Sequence, residues 1–361
     1  MRDATVYFDL ADTADPRFDR PVEILLVALL GFAPLAMGAA QAPAEFSTGT
    51  PTAWGEAVFI AIALAMAATF ALKLLVRPDV HFIRSWTYWP IALFLALVLF
   101  QLIPLPAGVI KLIAPQTHEI KTKLLSDLPG ASERLRWMTL TFYREATLHE
   151  LRLLIAIVCI YVVVINCIRR VSQIRRLLGA IAIIAAIFAI LALVQDAIGL
   201  NKIYGLFPMP TEAALARGGP FVNHSHFGQF MNLSVGAAIA LGLVMINQHF
   251  RRDDYSPGEV ARKLKSEAMR PAWVLLGIVV IAMAAVALSL SRGAMLGAAI
   301  AGFVTGAVLV TRPGAHGRMW IIGSVVVCIG LVALLDPNRV LGRWTNFAET
   351  PIERCGPRLD R

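Results

Sequence analysis

RLLGAIAIIAAIFAILALVQDAIG, residues 176–199, is the stretch whose reading decides the fold. Arg176 opens it, Asp196 lies near its far end, and the residues between are apolar except Gln195. A helix needs about 20 mostly apolar residues to cross the hydrocarbon of a bilayer, so this run reads as a membrane span. The whole chain agrees, being 58% hydrophobic and 16% charged, against about 45–50% and about 25% in soluble domains.

Working outward, further candidate spans fall at about 21–40, 54–76, 88–104, 148–168, 226–248, 273–290, 294–311 and 319–335. The expected fold class is therefore all-α, a polytopic transmembrane helix bundle of about nine helices. Residues 1–20 are expected as a cytoplasmic tail, 21–335 as the bundle and 336–361 as the start of an outer loop. No internal repeat or low-complexity tract interrupts it. Trp86, Tyr88, Trp89, Trp273 and Trp320 precede or open spans, where amphipathic rings anchor at the interface.

The net charge is +9, which in such a chain points to cytoplasmic loops and membrane lipids rather than nucleic acid. Residues 41–53 contain no Lys or Arg, whereas IRRVSQIRR (168–176) contains four Arg. Short connections carry most of the orientation signal, so the N-terminus is expected inside and the C-terminal tail outside. The dissenting segment is the basic 105–150 loop, whose end TLTFYREATLHELRLL (139–154) is expected to form an amphipathic interfacial helix.

Asp3, Asp9, Asp12, Asp15 and Asp19 give the start the wrong sign for a secretory signal, although AAQAPA (39–44) resembles a cleavage site. Cys159, Cys167 and Cys328 lie in apolar runs, Cys355 in a polar tail, and no CxxC occurs, so no metal site is expected. His118, His149, His249 and His316 lack ligand spacing and read as solvated.

Two segments on the expected outer side lead straight into helices. They are NKIYGLFPMPTEAALARGGPFVNHSHFGQF (201–230) and the join in ALSLSRGAMLGAAIAG (287–302). Helix N-termini present unpaired N–H groups and partial positive charge to an anion. Arg grips phosphate oxygens bidentately and never deprotonates. Arg217 and Arg292 can thus clamp a pyrophosphate, with Gly218, Gly219 and Gly293 allowing close backbone approach.

Bland readings stand beside this one. An arginine at a helix end also snorkels to lipid head groups, Asn223 and Ser225 are ordinary capping residues, and Asp196 pairs with an arginine or faces water. Gly293-xxx-Gly297 and Gly302-xxx-Gly306 read as a stripe for close helix packing.

ARGGPFVNHSHFGQFMNLSVGAAIALGL (216–243) resembles the R-x-G-x-F-x-N-x-N-H-F-A motif of the O-antigen ligase/polymerase superfamily. LSLSRGAMLGAAIAG (288–302) resembles its S-R-G-A segment, and FAPLAMGAAQAPAEF (32–46) and LALVQDAIGLNKIYGLF (191–207) are similar to its other stretches. The resemblance covers about 20–345 and implies a GT-C-like glycosyltransferase of the bacterial inner membrane. Such an enzyme takes a glycan from an undecaprenyl-diphosphate carrier at the periplasmic face. It passes the glycan to lipid A–core, to another repeat unit or to protein.

The resemblance implies that Arg217 and Arg292 hold the diphosphate, with Gly219, Asn223, His226, Ser291 and Gly293 in support and no cofactor or metal. Ser225 stands where the motif has Asn, and Gly228 where it has Ala, a mild change. The family pattern continues past a segment like DPNRVLGRW (336–344) into a loop with a catalytic His. The tail ERCGPRLDR (353–361) has none, so the expectation here is a truncated chain. His224, His226, Glu349 and Glu353 are the possible stand-ins as general base. A polymerase of the same superfamily, a transporter and a non-catalytic fragment remain alternatives.

Overall fold

The computed structural model describes residues 15–36, 51–80, 82–127, 129–200, 202–204, 207–208, 218–221, 223–250, 256–289 and 291–310. In chain order its elements are α1 (Pro16–Leu35), α2 (Pro51–Val76), α3 (Tyr88–Leu102), β1 (Leu105–Pro106), α4 (Ala107–Ile113) and α5 (Pro115–Leu125). There follow α6 (Ala131–Arg134), β2 (Trp137–Met138), α7 (Arg144–Cys167), α8 (Val171–Ala197), β3 (Lys202–Ile203) and β4 (Phe207–Pro208). Last come α9 (His224–His249), α10 (Pro257–Leu264), a 3₁₀ turn (Glu267–Met269), α11 (Arg270–Leu288) and α12 (Arg292–Val310).

The chain is a helical membrane protein. Five helices are long and apolar enough to cross a bilayer: Trp54–Val76, Arg144–Cys167, Val171–Ala197, His224–His249 and Glu267–Leu288. Eight of the nine expected spans fall on a helix, five of them long and apolar enough to cross, and the ninth, 319–335, lies outside the described residues, as does 336–361. Helix α1 falls short of the five because Arg17, Asp19, Arg20 and Glu23 crowd its first turns. Helix α3 falls short because it has 15 residues. The strands are two-residue antiparallel bridges, β1 with β2 and β3 with β4.

The described chain divides into two compact units. One comprises residues 15–25 and 56–170, the other 26–36, 51–55 and 171–310.

In the first unit, helix α1 begins four residues before the expected end of the tail, with Pro at its first position, where the missing N–H costs nothing. Asp15 caps it by accepting from Arg17 N–H at 3.0 Å. Asp19 is buried and receives Lys73 Nζ, itself 1% exposed, at 2.6 Å. Arg77 bonds Asp15 at 3.1 Å and Asp79 at 2.9 Å. Residues read as tail and loop charges thus form an ion-pair chain, because the end of α2 meets the start of α1.

Arg169 is half-buried just past α7, and burial pulls its guanidinium below the ordinary value against the opposing influence of Cys167 and Asp19. Asn166, fully buried, accepts from Ile83 N–H at 2.9 Å and donates to Val162 O at 2.8 Å, which fastens the turn before α3 to α7.

Two expectations are corrected here. His149 is only partly solvated, since its side chain is 32% exposed and its Nε2 lies 3.2 Å from Glu56 Oε1. Residues 144–154 are not a separate interfacial helix but the opening turns of α7, whose polar first turns precede its apolar run. The short helices of the 105–150 loop are α4, α5 and the single turn α6 instead.

In the second unit α8, α9 and α11 pack around Phe188, Ala192, Phe227, Met231, Ala238, Val279 and Ala285. A Cβ on Gly179 would meet Leu241, and Gly219 sits against Ala192, so α8 and α9 run antiparallel. Ile246 and Phe250 at the end of α9 meet Met269 and Ala272 at the start of α11. His249 is also only partly solvated, because its carbonyl accepts Lys263 Nζ at 3.0 Å and its Nε2 lies 3.4 Å from Ser266 Oγ. His316 lies outside the described residues.

Candidate functional site

Helices α9 and α12 begin side by side. Ser291 Oγ donates to Ser225 Oγ at 3.3 Å. Further along both helices, Asn232 Nδ2 donates to Ala294 O at 2.8 Å, and a Cβ on Gly297 would lie 3.3 Å from the same nitrogen. Successive positions of α9 meet successive positions of α12, so the helices run parallel with both N-termini at one end of the unit.

The close approach depends on Gly228. A Cβ there would fall 2.3 Å from Ala294 Cβ, so an alanine, which the sequence reading treats as a mild change, does not fit without separating the helices. Gly228→Ala is expected to lower stability by about 1–3 kcal/mol, as overpacking does. Gly236→Ala, with nothing within 4 Å of its Cβ, is expected to be neutral or stabilising, since Ala favours helix over Gly by up to about 1 kcal/mol. Thermal unfolding of the two variants in detergent checks the pair, and equal melting would count against the contact.

Each helix start carries its own cap. Asn223 Oδ1 accepts from Ser225 N–H at 2.8 Å, and its carbonyl accepts from His226 N–H at 3.1 Å. Ser291 Oγ accepts from Ala294 N–H at 3.3 Å. Ser225 is therefore not a cap but the hydroxyl that receives Ser291. These satisfied N–H groups are not on offer to a ligand, so the expected contribution of bare helix-end donors is smaller than the sequence suggests. What remains is the partial positive charge of two parallel helix ends.

Gly219 is buried at φ +55°, in the left-handed region, and a Cβ there would lie 3.3 Å from both Ala192 Cβ and Phe188 O. A Cβ on Gly218 would lie 2.7 Å from Phe221 O. Phe221 then packs its ring, tilted, against Phe227 and Phe230, at centroid distances of 6.0 and 5.6 Å. The turn 218–221 is thus seated on aromatic core before Asn223 caps α9.

Gln195 holds the same turn from α8, a role the sequence reading missed. With its buried amide oriented nitrogen toward Gly219, the orientation that satisfies both neighbours, it donates to Gly219 O at 3.0 Å and accepts from Tyr204 N–H at 3.1 Å. A glutamine in an otherwise apolar helix end was the available signal. Tyr204, at φ +55°, donates its hydroxyl to Leu35 O at 2.9 Å, and burial pushes that hydroxyl up to about 12.

The remaining candidates divide as follows. Gly293 is exposed with open space around its Cβ, so no close approach requires it. Against the described residues, the packing face of α12 runs through Ala294 and Gly297, and neither Gly293 nor Gly302 meets any of them. His226 is exposed and Asp196 half-buried. Arg292 is the first residue of α12, while its side chain, the whole of Arg217, Glu349 and Glu353 lie outside the described residues. Among the described residues no three His, Cys, Asp or Glu side chains gather as a metal site. No family model, no curated protein and no solved structure matches the chain.

Proposed function

We propose that this chain is a membrane glycosyltransferase of the O-antigen ligase type. In this reading it takes a glycan from undecaprenyl diphosphate at the periplasmic face of a bacterial inner membrane and passes it to lipid A–core. The observation that carries the reading is the parallel pairing of the α9 and α12 starts through Ser225 and Ser291. Arg292 begins one of these helices, and Arg217 precedes the Gly218–Phe221 turn into the other. Two like-oriented helix ends, each with an arginine adjoining it in the sequence, would favour the charge that a diphosphate leaving group gains, and fixed charge of this kind is a large catalytic contribution. Gly219, Asn223, His226, Ser291 and Gly293 would shape the surroundings.

The test is transfer by the purified chain in lipid vesicles supplied with undecaprenyl-diphosphate-linked glycan and a lipid A–core acceptor. Glycosylated acceptor with release of undecaprenyl diphosphate is the expected result. Glycan lengthening without acceptor would identify a polymerase. Failure to bind the donor would sink the reading. A transporter is the second reading, favoured by the buried Asp19–Lys73 pair where the start of α1 meets the end of α2, since buried ionisable groups in membrane proteins often line transport paths. Movement of intact glycan across the bilayer would mark it.

A further inference from the structure

We propose that the α4–α5 elbow is a membrane-surface element, with its outward side chains immersed in the boundary between head groups and acyl chains of the bilayer. The segment joins the end of α3, at Leu102, to the start of α7, at Arg144. It is tied back to both. Thr141 N–H donates to Gln101 O at 3.2 Å, and the Thr141 and Thr147 hydroxyls lie 2.6 Å apart. The elbow therefore stands at the mouth of two apolar helices.

Its inward side is settled by its own contacts. Ile110 is fully buried and Met138 is 4% exposed. Lys121 turns inward and donates to Thr139 O, to Thr139 Oγ1 at 3.2 Å and to Thr141 O at 2.6 Å. Burial lowers the pKa of that ammonium. With a lysine holding the inside, the apolar residues are turned out. Leu112 is 84% exposed, Leu124 68%, Trp137 54% and Ile113 53%. Val109, Leu112 and Ile113 stand at the i, i+3, i+4 spacing of one helix face, and Ile120 and Leu124 at i, i+4. Trp137 alternates with the buried Met138, as neighbours on a strand do.

What covers this surface follows from depth. Helix α3 has 15 residues, about 22 Å of rise, against about 30 Å of hydrocarbon. The shortfall is the depth, about 5–10 Å, to which an interfacial helix sinks its apolar face. The exposed Leu93, Leu97 and Phe100 of α3 lead to Ile103 and on to the elbow, so its apolar side chains continue the lipid-facing surface of that helix. The exposed Glu119–Lys123 pair, 2.7 Å apart, supplies a polar edge for the water side.

Nitroxide labels placed one at a time at positions 109, 112, 113, 120, 123 and 124 in a cysteine-free full-length chain, reconstituted in vesicles, test the assignment. Dissolved oxygen is expected to relax the labels at 109, 112, 113, 120 and 124 more than a water-soluble nickel chelate does, with the order reversed at 123. Greater relaxation by the chelate at 112 and 124 would overturn it, placing the face in water. Little relaxation by either reagent would also overturn it, because it would mean that a protein surface, such as a second copy of the chain, covers the face. Melting temperatures of the labelled proteins show that they are folded.

Discussion

Arg292→Ala is expected to reduce glycan transfer by about 100- to 1,000-fold, the usual loss when one fixed donor to a developing anion is removed, while leaving the melting temperature unchanged or slightly higher. The second half of that expectation comes from the helix. Arg292 is the first residue of α12, and a cation at a helix N-terminus has the wrong sign for the macrodipole, a cost of about 0.3–1 kcal/mol at exposed sites. The start of α12 does not rely on it, since Ser291 Oγ accepts from Ala294 N–H and Asn232 reaches Ala294 O. Arg292→Lys keeps the charge but not the planar fork, so it is expected to recover only part of the rate, with the deficit in kcat larger than that in KM. Transfer kinetics of the three proteins, beside their thermal unfolding, check this. Full turnover by Arg292→Ala would falsify the diphosphate clamp.

The spans were legible because an apolar run announces itself locally, without reference to any other part of the chain. The polar details were not, because each is completed by a distant partner. Lys73 lies near the end of the expected 54–76 span, and only Asp19, 54 positions away, explains how its charge is buried there. Gly228 looks replaceable until Ala294 is seen against it, and His149 looks solvated until Glu56 faces it. The 139–154 stretch misled for a different reason. The polar opening turns of a membrane helix and a surface amphipathic helix have the same local pattern, and only the unbroken continuation to Cys167 distinguishes them. At the candidate site, Asn223 was readable because a capping residue acts on its own helix, whereas the Ser225–Ser291 pairing, which replaces the expected Ser225 cap, and the grip of Gln195 on Gly219 arise across elements.

Lys73→Met is expected to destabilise the protein by about 3–5 kcal/mol, the cost of leaving one member of a buried ion pair without its partner. The side chains of Lys73 and Asp19 are 2% and 4% exposed, so little water is at hand to solvate the abandoned carboxylate. Methionine matches the lysine stem in length and flexibility, which leaves the lost charge as the main change. The double variant Asp19→Leu/Lys73→Met removes both charges and is expected to recover most of the loss, because an apolar pair of similar volume often equals or exceeds a buried salt bridge. Equilibrium unfolding in detergent yields the coupling between the two positions as the difference between the double variant and the sum of the singles. A double variant no more stable than Lys73→Met would refute the ion-pair account. The same proteins separate the two functional readings. If the pair only fastens the first two helices, the folded double variant transfers glycan as the wild type does. If the charges serve a transport path, that variant folds and yet moves no substrate across the vesicle membrane.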